Sequence, residues 1–570
     1  SVFQEKSNPP NLAMVDEGIN KNTENKSKKE LAEIRHDIRD RNGVLLARSL
    51  EMTSLYADPK LIQEPVKTAS AVAKLFPAEI KSEELAEILA TDRRFVWIKR
   101  HLKPEEIKAV LRIGDPGLGF EKEQKRVYPQ GKLTSHLVGY TDIDGNGLAG
   151  LEKGLDDLLK RRSENGKDKA IELSVDIKIQ HLLKQEILKA VLKHKAKAGA
   201  GIVMDVKSGE VLGAVSLPDF DPHHLGRSIK DQRFNRYSLG LYELGSTFKI
   251  FSTAGYLDLP AKTLRDRFDT RDPIRKHGHI IRDYHGKNSV LTVPEVFIYS
   301  SNIGSAKMGE ALGTSRMRQL FDDLALSDRL RSELPERGMP LIPEPWREMN
   351  TLTASYGHGI AVTPLHFISA AASIVNNGEF VSPAFLKQEA APQADLKYSV
   401  VSPLASQKMR KLMRLVVTHG TGSLADVPGY LVGGKTGTAE KSSAGGYNRN
   451  KLISSFLGVF PMNDPRYAVF VMVDEPEGSP ETYNYATGGW VAAPVVGNVI
   501  AGMGRILGIP KKMYEDEKFL AGLDDLVRTN EEFEDGVELM PVAQKPDDFS
   551  FNPPTTPVSQ ATKESTLVSY

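Results

Sequence analysis

A helix-forming segment followed directly by a β-hairpin opens the larger part of the chain and sets its architecture. Asp176–His194 (DIKIQHLLKQEILKAVLKH) carries apolar residues at helical spacing. Gly199–Leu217 (GAGIVMDVKSGEVLGAVSL) then gives two β-rich runs joined by a KSG turn. Two later runs, KLISSFLGVFP and YAVFVMVDEP, have the same character. Together they predict one antiparallel sheet covered by helices, with Gly489–Gly508 as the closing helix.

Composition and periodicity divide the chain into four regions. Residues 1–30 are polar and aperiodic and predict a linker. Residues 31–168 mix short strands with charged helices, and residues 169–512 contain the predicted sheet. Residues 513–570 predict an extension that is largely disordered. The fold class is therefore α+β and multidomain, as a length of 570 residues favours.

Charge and cysteine content exclude several classes of function. Lys and Arg number 75 against 74 Asp and Glu, so no strong field favours nucleic acid as a partner. The absence of cysteine excludes disulfides, thiol nucleophiles and cysteine metal sites. The chain starts at Ser1 and has no apolar run of about 18 residues. We therefore expect a processed form or a truncated piece of a longer protein.

A lysine stands inside the apolar run YELGSTFKIFSTAGYL, three residues after a serine. Ser246 is predicted near a helix N-terminus, where free N–H groups and the helix dipole favour developing negative charge. Positions three apart share a helix face, so Lys249 can approach the Ser246 hydroxyl. Burial among apolar neighbours would lower the pKa of Lys249 toward that of a useful base. The alternative is a snorkelling lysine beside an N-cap serine, since Ser-x-x-Lys is frequent by chance.

Two further short patterns change the balance between these interpretations. At Ser300-Ser301-Asn302, after an apolar helical stretch, a hydroxyl and a carboxamide lie two apart and can face one cavity. The alternative there is an ordinary polar turn.

The second pattern is GGKTGT at residues 433–438, in a strand-like run. Alternation places Lys435 and Gly437 on one face, and Thr436 and Thr438 on the other. Gly437 lacks a side chain, so a substrate backbone can approach an edge strand closely. The alternative is a Gly-rich hairpin with a surface lysine.

The order Ser-x-x-Lys, Ser-x-Asn, Lys-Thr-Gly resembles that of penicillin-binding proteins and serine β-lactamases. DIRDRNG at 37–43 is similar to the opening signature of the N-terminal module in class B penicillin-binding proteins. RVYP at 126–129, GLE at 150–152 and YGHG at 356–359 resemble later landmarks of that class. The resemblance covers about Ile34 to Pro510 and is strongest to division-type members. Ser301 departs from the Ser-Asp-Asn form typical of class A β-lactamases.

The resemblance implies an elongated N-terminal pedestal module over residues 31–168. A penicillin-binding transpeptidase domain of serine β-lactamase-like fold, with a central antiparallel sheet covered by helices, follows over 169–512. The catalytic residues that it implies are Ser246, Lys249, Ser300 and Asn302. The substrate-binding residues that it implies are Lys435, Thr436, Gly437 and Thr438. No cofactor and no metal is expected.

The implied activity is serine-type D-Ala-D-Ala transpeptidation of peptidoglycan in septal cell-wall synthesis. Its ligands would be stem peptides ending in D-Ala-D-Ala and β-lactam antibiotics. A membrane glycosyltransferase and divisome proteins would be partners, without nucleic acid. The implied location is the periplasmic face of the bacterial inner membrane, with residues 1–30 as a juxtamembrane linker. The single N-terminal anchor would be absent from this chain.

Several alternatives stay open at this point. The chain could be an elongation-type transpeptidase, a serine β-lactamase or a non-catalytic divisome scaffold. A metal site is a further alternative, because four potential ligands crowd KHGHIIRDYHGKN: His277, His279, Asp283 and His285. Their spacing fits no strong zinc motif, so a polar loop near the rim of the site is the favoured interpretation.

Overall fold

A computed structural model describes residues 35–161, 170–276, 278–284, 286–388, 398–443, 446–511 and 516–527. The predicted linker at 1–30 lies outside these ranges, as does most of the predicted C-terminal extension. In the described part of the chain, no helix is both long and apolar enough to cross a membrane.

The N-terminal module is an α+β unit around a five-stranded sheet. Its strands are β1 (Ile38–Arg39), β2 (Leu45–Ala57), β3 (Val96–Leu102), β4 (Leu118–Val127), β5 (Tyr140–Thr141), β6 (Gly147–Ala149) and β7 (Ile171–Glu172). Its helices are α1 (Pro65–Leu75), α2 (Ser82–Leu89), α3 (Pro104–Leu111), α4 (Ser135–Val138), α5 (Gly150–Gly154) and α6 (Asp156–Lys160). The main sheet has the order β3-β2-β1-β7, β4 also pairs with β2, and β5 and β6 form a separate pair. Apolar side chains of α1 to α3 and the distal end of β2 form a separate small core.

The predicted central sheet is confirmed and has five strands. After α7 (Ile177–Lys193), the chain forms β8 (Ala198–Asp205), β9 (Val211–Leu217) and the short helix α8 (Lys230–Arg233). The next elements are α9 (Lys249–Leu257), β10 (Arg267–Asp269), β11 (Ile274–Lys276), β12 (His279–Ile281) and β13 (Val290–Thr292). The helices that follow are α10 (Val293–Ile298), α11 (Asn302–Leu312), α12 (Thr314–Asp323), α13 (Glu348–Ala354), α14 (Pro364–Val375) and α15 (Pro403–His419). The chain then forms β14 (Gly433–Ser443), β15 (Gly446–Phe460), β16 (Tyr467–Asp474), α16 (Gly488–Ile506) and α17 (Glu517–Leu520). The sheet runs β14-β15-β16-β8-β9 with every pair antiparallel.

Alternating side chains in this sheet bury apolar groups on both faces. On β16, Phe470 packs into the core on one side, whereas Val471 packs into the core on the other. Helices α9, α14 and α15 cover the first face, and α7 and α16 cover the second. The sheet is therefore a central layer covered on both faces, with β14 at one edge.

A buried aspartate connects the N-terminal module to the first helix of the larger domain. Asp40 accepts hydrogen bonds from the backbone N–H groups of Asn42 and Val44 at 2.9 and 2.7 Å, and from that of Ile177 at 3.1 Å. Strand β7 pairs with β1, so the N-terminal sheet includes residues just beyond position 168. The exact domain boundaries stay a prediction.

Part of the predicted C-terminal extension is ordered. Residues 516–527 contain α17 and place Leu523 in the apolar core, with Phe519 and Leu526 beside it. Residues 512–515 and 528–570 lie outside the described ranges.

Candidate active site

The serine of the first motif lies on a tight turn that leads directly into α9. Residues Gly245–Phe248 form one 3₁₀ turn, and Gly245 adopts φ +54°, a conformation that favours glycine. The Thr247 hydroxyl donates to Leu244 O at 2.9 Å and fixes the turn. Ser246 is thereby held one turn before the buried face of α9, as the sequence predicts.

Lys249, the first residue of α9, is fully buried. Its amino group contacts side chains of both the Ser-x-x-Lys and the Ser-x-Asn motif. Its Nζ lies 3.0 Å from Ser246 Oγ and 2.8 Å from Asn302 Oδ1. It also lies 3.0 Å from Ser300 Oγ and donates to Ser300 O. The predicted contact between Ser246 and Lys249 is present, and the second motif completes the coordination of the amino group.

The second motif occupies the turn between α10 and α11. Ser300 has φ +59°, a sparsely populated conformation for a residue with a side chain. Ser301 caps α11 by accepting from Gly304 N at 2.9 Å, and Asn302 is the first residue of that helix. The turn therefore directs the side chains of Ser300 and Asn302 toward the same amino group.

Lys435 on β14 brings a second fully buried amino group to the cluster. Its Nζ lies 3.1 Å from Ser300 Oγ and 5.7 Å from the centre of the Phe297 ring. A serine hydroxyl has one donor and two acceptor sites, so Ser300 Oγ can accept from both lysines and still donate its own proton.

The two threonines of the third motif contact the start of α16 and a nearby loop. Thr436 Oγ1 lies 2.7 Å from Thr421 Oγ1, and Thr438 Oγ1 accepts from Gly488 N at 3.1 Å. The Thr438 hydroxyl accepts that bond and so keeps its proton for donation to a ligand. The contact between Thr436 and Thr421 has no signal in the sequence.

Gly437 lies where β14 passes the nucleophile turn. A Cβ atom at this position would lie 2.6 Å from Leu244 O and 2.7 Å from Thr247 Cγ2. Only glycine allows β14 to lie this close to the turn that carries Ser246. The group that approaches Gly437 here is the protein's own nucleophile turn. The approach of a substrate backbone stays a prediction.

The electrostatics of the cluster favour an uncharged Lys249. Burial, and then the charge of Lys435, hold the pKa of Lys249 well below its usual value, while Asp283 opposes this shift. Burial also lowers the pKa of Lys435 to about 7. Lys249 and Lys435 lie beside the same hydroxyl in a buried site, so charging both amino groups at once is energetically unfavourable.

Within the described ranges, no group of three or more His, Cys, Asp or Glu is placed to hold an ion. His277 and His285 lie outside those ranges. Asp283 instead contacts the Ser-x-Asn turn, a role that sequence reasoning missed because the two segments are 18 residues apart.

Comparison with known families matches both parts of the chain. Residues 199–501 match the penicillin binding protein transpeptidase domain, and residues 31–176 match the penicillin-binding protein dimerisation domain. The chain belongs to the penicillin-binding protein family. The family resemblance and the fold class predicted from the motifs are thus confirmed for this penicillin-binding protein.

Curated relatives of this penicillin-binding protein are similar over most of their length. The probable peptidoglycan D,D-transpeptidase FtsI of Caulobacter vibrioides is 38% identical over 487 residues, which cover 84% of this chain and 82% of that protein. Peptidoglycan D,D-transpeptidase FtsI of Escherichia coli K12 is 28% identical over 499 residues, with 83% of each chain covered.

A solved structure agrees with the fold. The crystal structure of penicillin-binding protein 3 from Mycobacterium tuberculosis, complexed with aztreonam, aligns with a TM-score of 0.66. The alignment covers 84% of this chain and 97% of that one, at 24% sequence identity. At this level of identity the match supports the two-domain architecture alone.

Proposed function

We propose that this penicillin-binding protein is a serine-type peptidoglycan D,D-transpeptidase that crosslinks stem peptides in septal cell-wall synthesis and that β-lactams inhibit covalently. One observation carries the proposal: the buried, low-pKa Lys249 lies 3.0 Å from Ser246 Oγ. Similarity to the two FtsI relatives supports the substrate class and the division role.

In the first step, Ser246 Oγ attacks the carbonyl carbon of the penultimate D-Ala of a donor stem peptide. Lys249 accepts the hydroxyl proton, since its pKa is lowered by burial and by Lys435. The C–N bond to the terminal D-Ala breaks, and a proton passes to the leaving amine through Ser300 Oγ. The geometry suits this relay because Ser300 Oγ lies 3.0 Å from Lys249 Nζ. The product is an ester on Ser246.

Backbone N–H groups of Ser246 and Thr438 would stabilise the oxyanion of this step. Ser246 lies in the first turn of its 3₁₀ helix, where N–H groups have no acceptor within the helix. Thr438 lies on β14, which passes within close contact of that turn.

The third motif would hold the terminal carboxylate of the donor. Lys435 supplies positive potential beside Ser300, and the hydroxyls of Thr436 and Thr438 supply donors along β14. Asn302 would hold Lys249 through its Oδ1 atom. Gly437 would keep β14 beside the turn that carries Ser246, so that an extended peptide along this edge strand would lie next to the nucleophile.

In the second step, an amine of a neighbouring stem peptide attacks the ester carbonyl. The attacking amine gives one proton to neutral Lys249 as the new amide forms. The bond to Ser246 Oγ breaks, and Lys249 passes that proton to Ser246 Oγ. A β-lactam imitates the donor terminus, opens its ring on Ser246, and leaves an ester that hydrolyses slowly.

We further propose that the domains divide near 168/169, with the N-terminal module as a pedestal that binds a membrane glycosyltransferase and divisome proteins. The separate apolar core in the distal part of that module supports an independent unit there, whereas Leu151 and Leu159 near the boundary share the core of the larger domain. We place the protein at the periplasmic face of the inner membrane behind an N-terminal anchor. Co-purification of the full chain with such a glycosyltransferase should survive Ser246→Ala, and loss of binding in that variant would contradict a separate partner site.

The transpeptidase activity can be tested with a thioester analogue of a stem-peptide terminus and a D-amino acid acceptor. The wild type should form the new amide, measured by mass spectrometry, and Ser246→Ala should form none. Ser70→Ala, on helix α1 of the N-terminal module, is the matched control and should retain activity. Rapid turnover of benzylpenicillin by the wild type would favour a serine β-lactamase instead.

A further inference from the structure

Asp283 lies outside all three motifs, on the loop after β12, yet it contacts the Ser-x-Asn turn directly. Its Oδ2 atom accepts from Ser301 Oγ at 2.7 Å, and its Oδ1 atom accepts from Ile303 N at 2.9 Å. Both donors belong to the start of α11. The carboxylate therefore binds the middle residue of the motif and the first turn of the helix together.

The same loop fixes the carboxamide of the motif. Asn302 Nδ2 donates to Arg282 O at 3.1 Å, so its Oδ1 atom faces Lys249 Nζ at 2.8 Å. If the amide rotated, its NH₂ group would face the amino group of Lys249 and this contact would be lost. The backbone of residue 282 and the side chain of residue 283 thus hold neighbouring parts of the motif.

Ser300 needs this support because its backbone lies in the left-handed region. Such a conformation is unfavourable for a residue with a side chain and persists where surrounding contacts over-determine it. The backbone N–H of Ser301 donates to Val296 O at 2.9 Å, and its hydroxyl donates to Asp283. These two bonds hold the residue that follows Ser300.

We propose that Asp283 is a positioning residue for the Ser-x-Asn motif and supplies, from a separate loop, a negative charge beside the catalytic cluster. This inference rests on the proposed function. It places the carboxylate on a neighbouring loop, hydrogen-bonded to Ser301 in the middle of the motif.

The charge of Asp283 also acts on Lys249. Two charged groups affect its amino group: Lys435 lowers the pKa of Lys249 and Asp283 raises it, while burial gives the largest lowering. Loss of the carboxylate should therefore lower the pKa of Lys249 further. The acylation rate constant falls at low pH because the base becomes protonated. This fall, the acid limb of the pH–rate profile, should then move to lower pH.

The test is the second-order rate constant for acylation by benzylpenicillin, measured across pH by intact mass on the full chain. Asp283→Asn should lower the rate constant about 10- to 100-fold, as a small misplacement of catalytic groups does. Its acid limb should also move to lower pH. Asp272→Asn changes an exposed aspartate before β11 and should match the wild type.

Moving the carboxylate from residue 283 to residue 301 distinguishes a positioning role from a general loss of structure. Asp283→Ser should be slow, and the double variant Asp283→Ser/Ser301→Asp should recover most of the lost rate constant. An Asp283→Asn protein with the wild-type rate constant, or with an unmoved acid limb, would overturn the proposal. So would a folded double variant no faster than Asp283→Ser. A wild type without any serine adduct would instead defeat the proposed function itself.

Discussion

Lys249 and Lys435 are both fully buried and bring their amino groups to the same hydroxyl oxygen. The two Nζ atoms lie 3.0 and 3.1 Å from Ser300 Oγ. Buried cations this close repel one another, and the charge of Lys435 helps to keep Lys249 neutral. The pair thus places the base, Lys249, beside the anion-binding group, Lys435, in one buried site.

Removing the charge of Lys435 should make Lys249 a poorer base at neutral pH. In Lys435→Met the repulsion is lost, so the pKa of Lys249 rises and the acid limb of acylation moves to higher pH. At pH 7 the acylation rate constant should fall by about tenfold or more. Lys435→Arg keeps the charge and is the control for the position of the limb. If the acid limb of acylation in Lys435→Met stayed at its wild-type pH, the electrostatic coupling between Lys435 and Lys249 would be contradicted.

The lowered pKa of Lys435 should also affect stability. The folded protein holds this group with a pKa of about 7, against 10.5 for an ordinary lysine. Between these values the unfolded state binds more protons, so stability rises with pH by up to about 1.4 kcal/mol per unit. This contribution is lost as pH falls toward 7. In denaturant unfolding, the free energy of unfolding should rise less steeply with pH for Lys435→Met than for the wild type. The exposed-site control Lys60→Met should follow the wild type.

A buried ion network in the N-terminal module should be sensitive to loss of its carboxylate. Glu152 is fully buried and pairs with Arg35 at 2.6 Å and with Arg126 at 2.7 Å. Glu152→Gln removes the negative charge that these two buried guanidinium groups share and should cost about 3–5 kcal/mol. Urea denaturation measures this change. Glu105→Gln, at an exposed acid on α3, should change the free energy of unfolding little.

Gly437→Ala should separate β14 from the nucleophile turn. The new Cβ would lie 2.5 Å from Ser455 Oγ and 2.6 Å from Leu244 O, so the backbone must move. We expect a loss of about 1–3 kcal/mol in stability. Acylation should fall by about tenfold or more. Gly213→Ala in β9 is the matched control, because its nearest contact is 3.4 Å away. Equal acylation by both variants would contradict the role of the close approach.

Local periodicity in the sequence predicts much of the site. The spacing of three between Ser246 and Lys249 places both groups on one side of a turn, and they lie 3.0 Å apart. The β-rich runs joined by turn residues predict the central antiparallel sheet, which is confirmed. These features depend on neighbours within a few residues, which sequence patterns record.

Contacts between distant segments could not be predicted in this way. Asp283 and Ser301 meet only because the loop after β12 returns to the start of α11. Gly150 N donates to Glu336 Oε1 across 186 positions, from the N-terminal module to the larger domain. Leu523 lies in a region predicted to be largely disordered, yet it is buried against the core. Such contacts follow from tertiary packing, which a single sequence does not show.

The most direct test of the account is intact mass spectrometry of the full chain with excess benzylpenicillin over time, with peptide mapping of the adduct. We predict a persistent adduct of one drug mass on Ser246 that is absent from Ser246→Ala, because the ester forms and hydrolyses slowly. An adduct of equal amount in Ser246→Ala, or no adduct in the wild type, would contradict a Ser246 acyl-enzyme activated by Lys249.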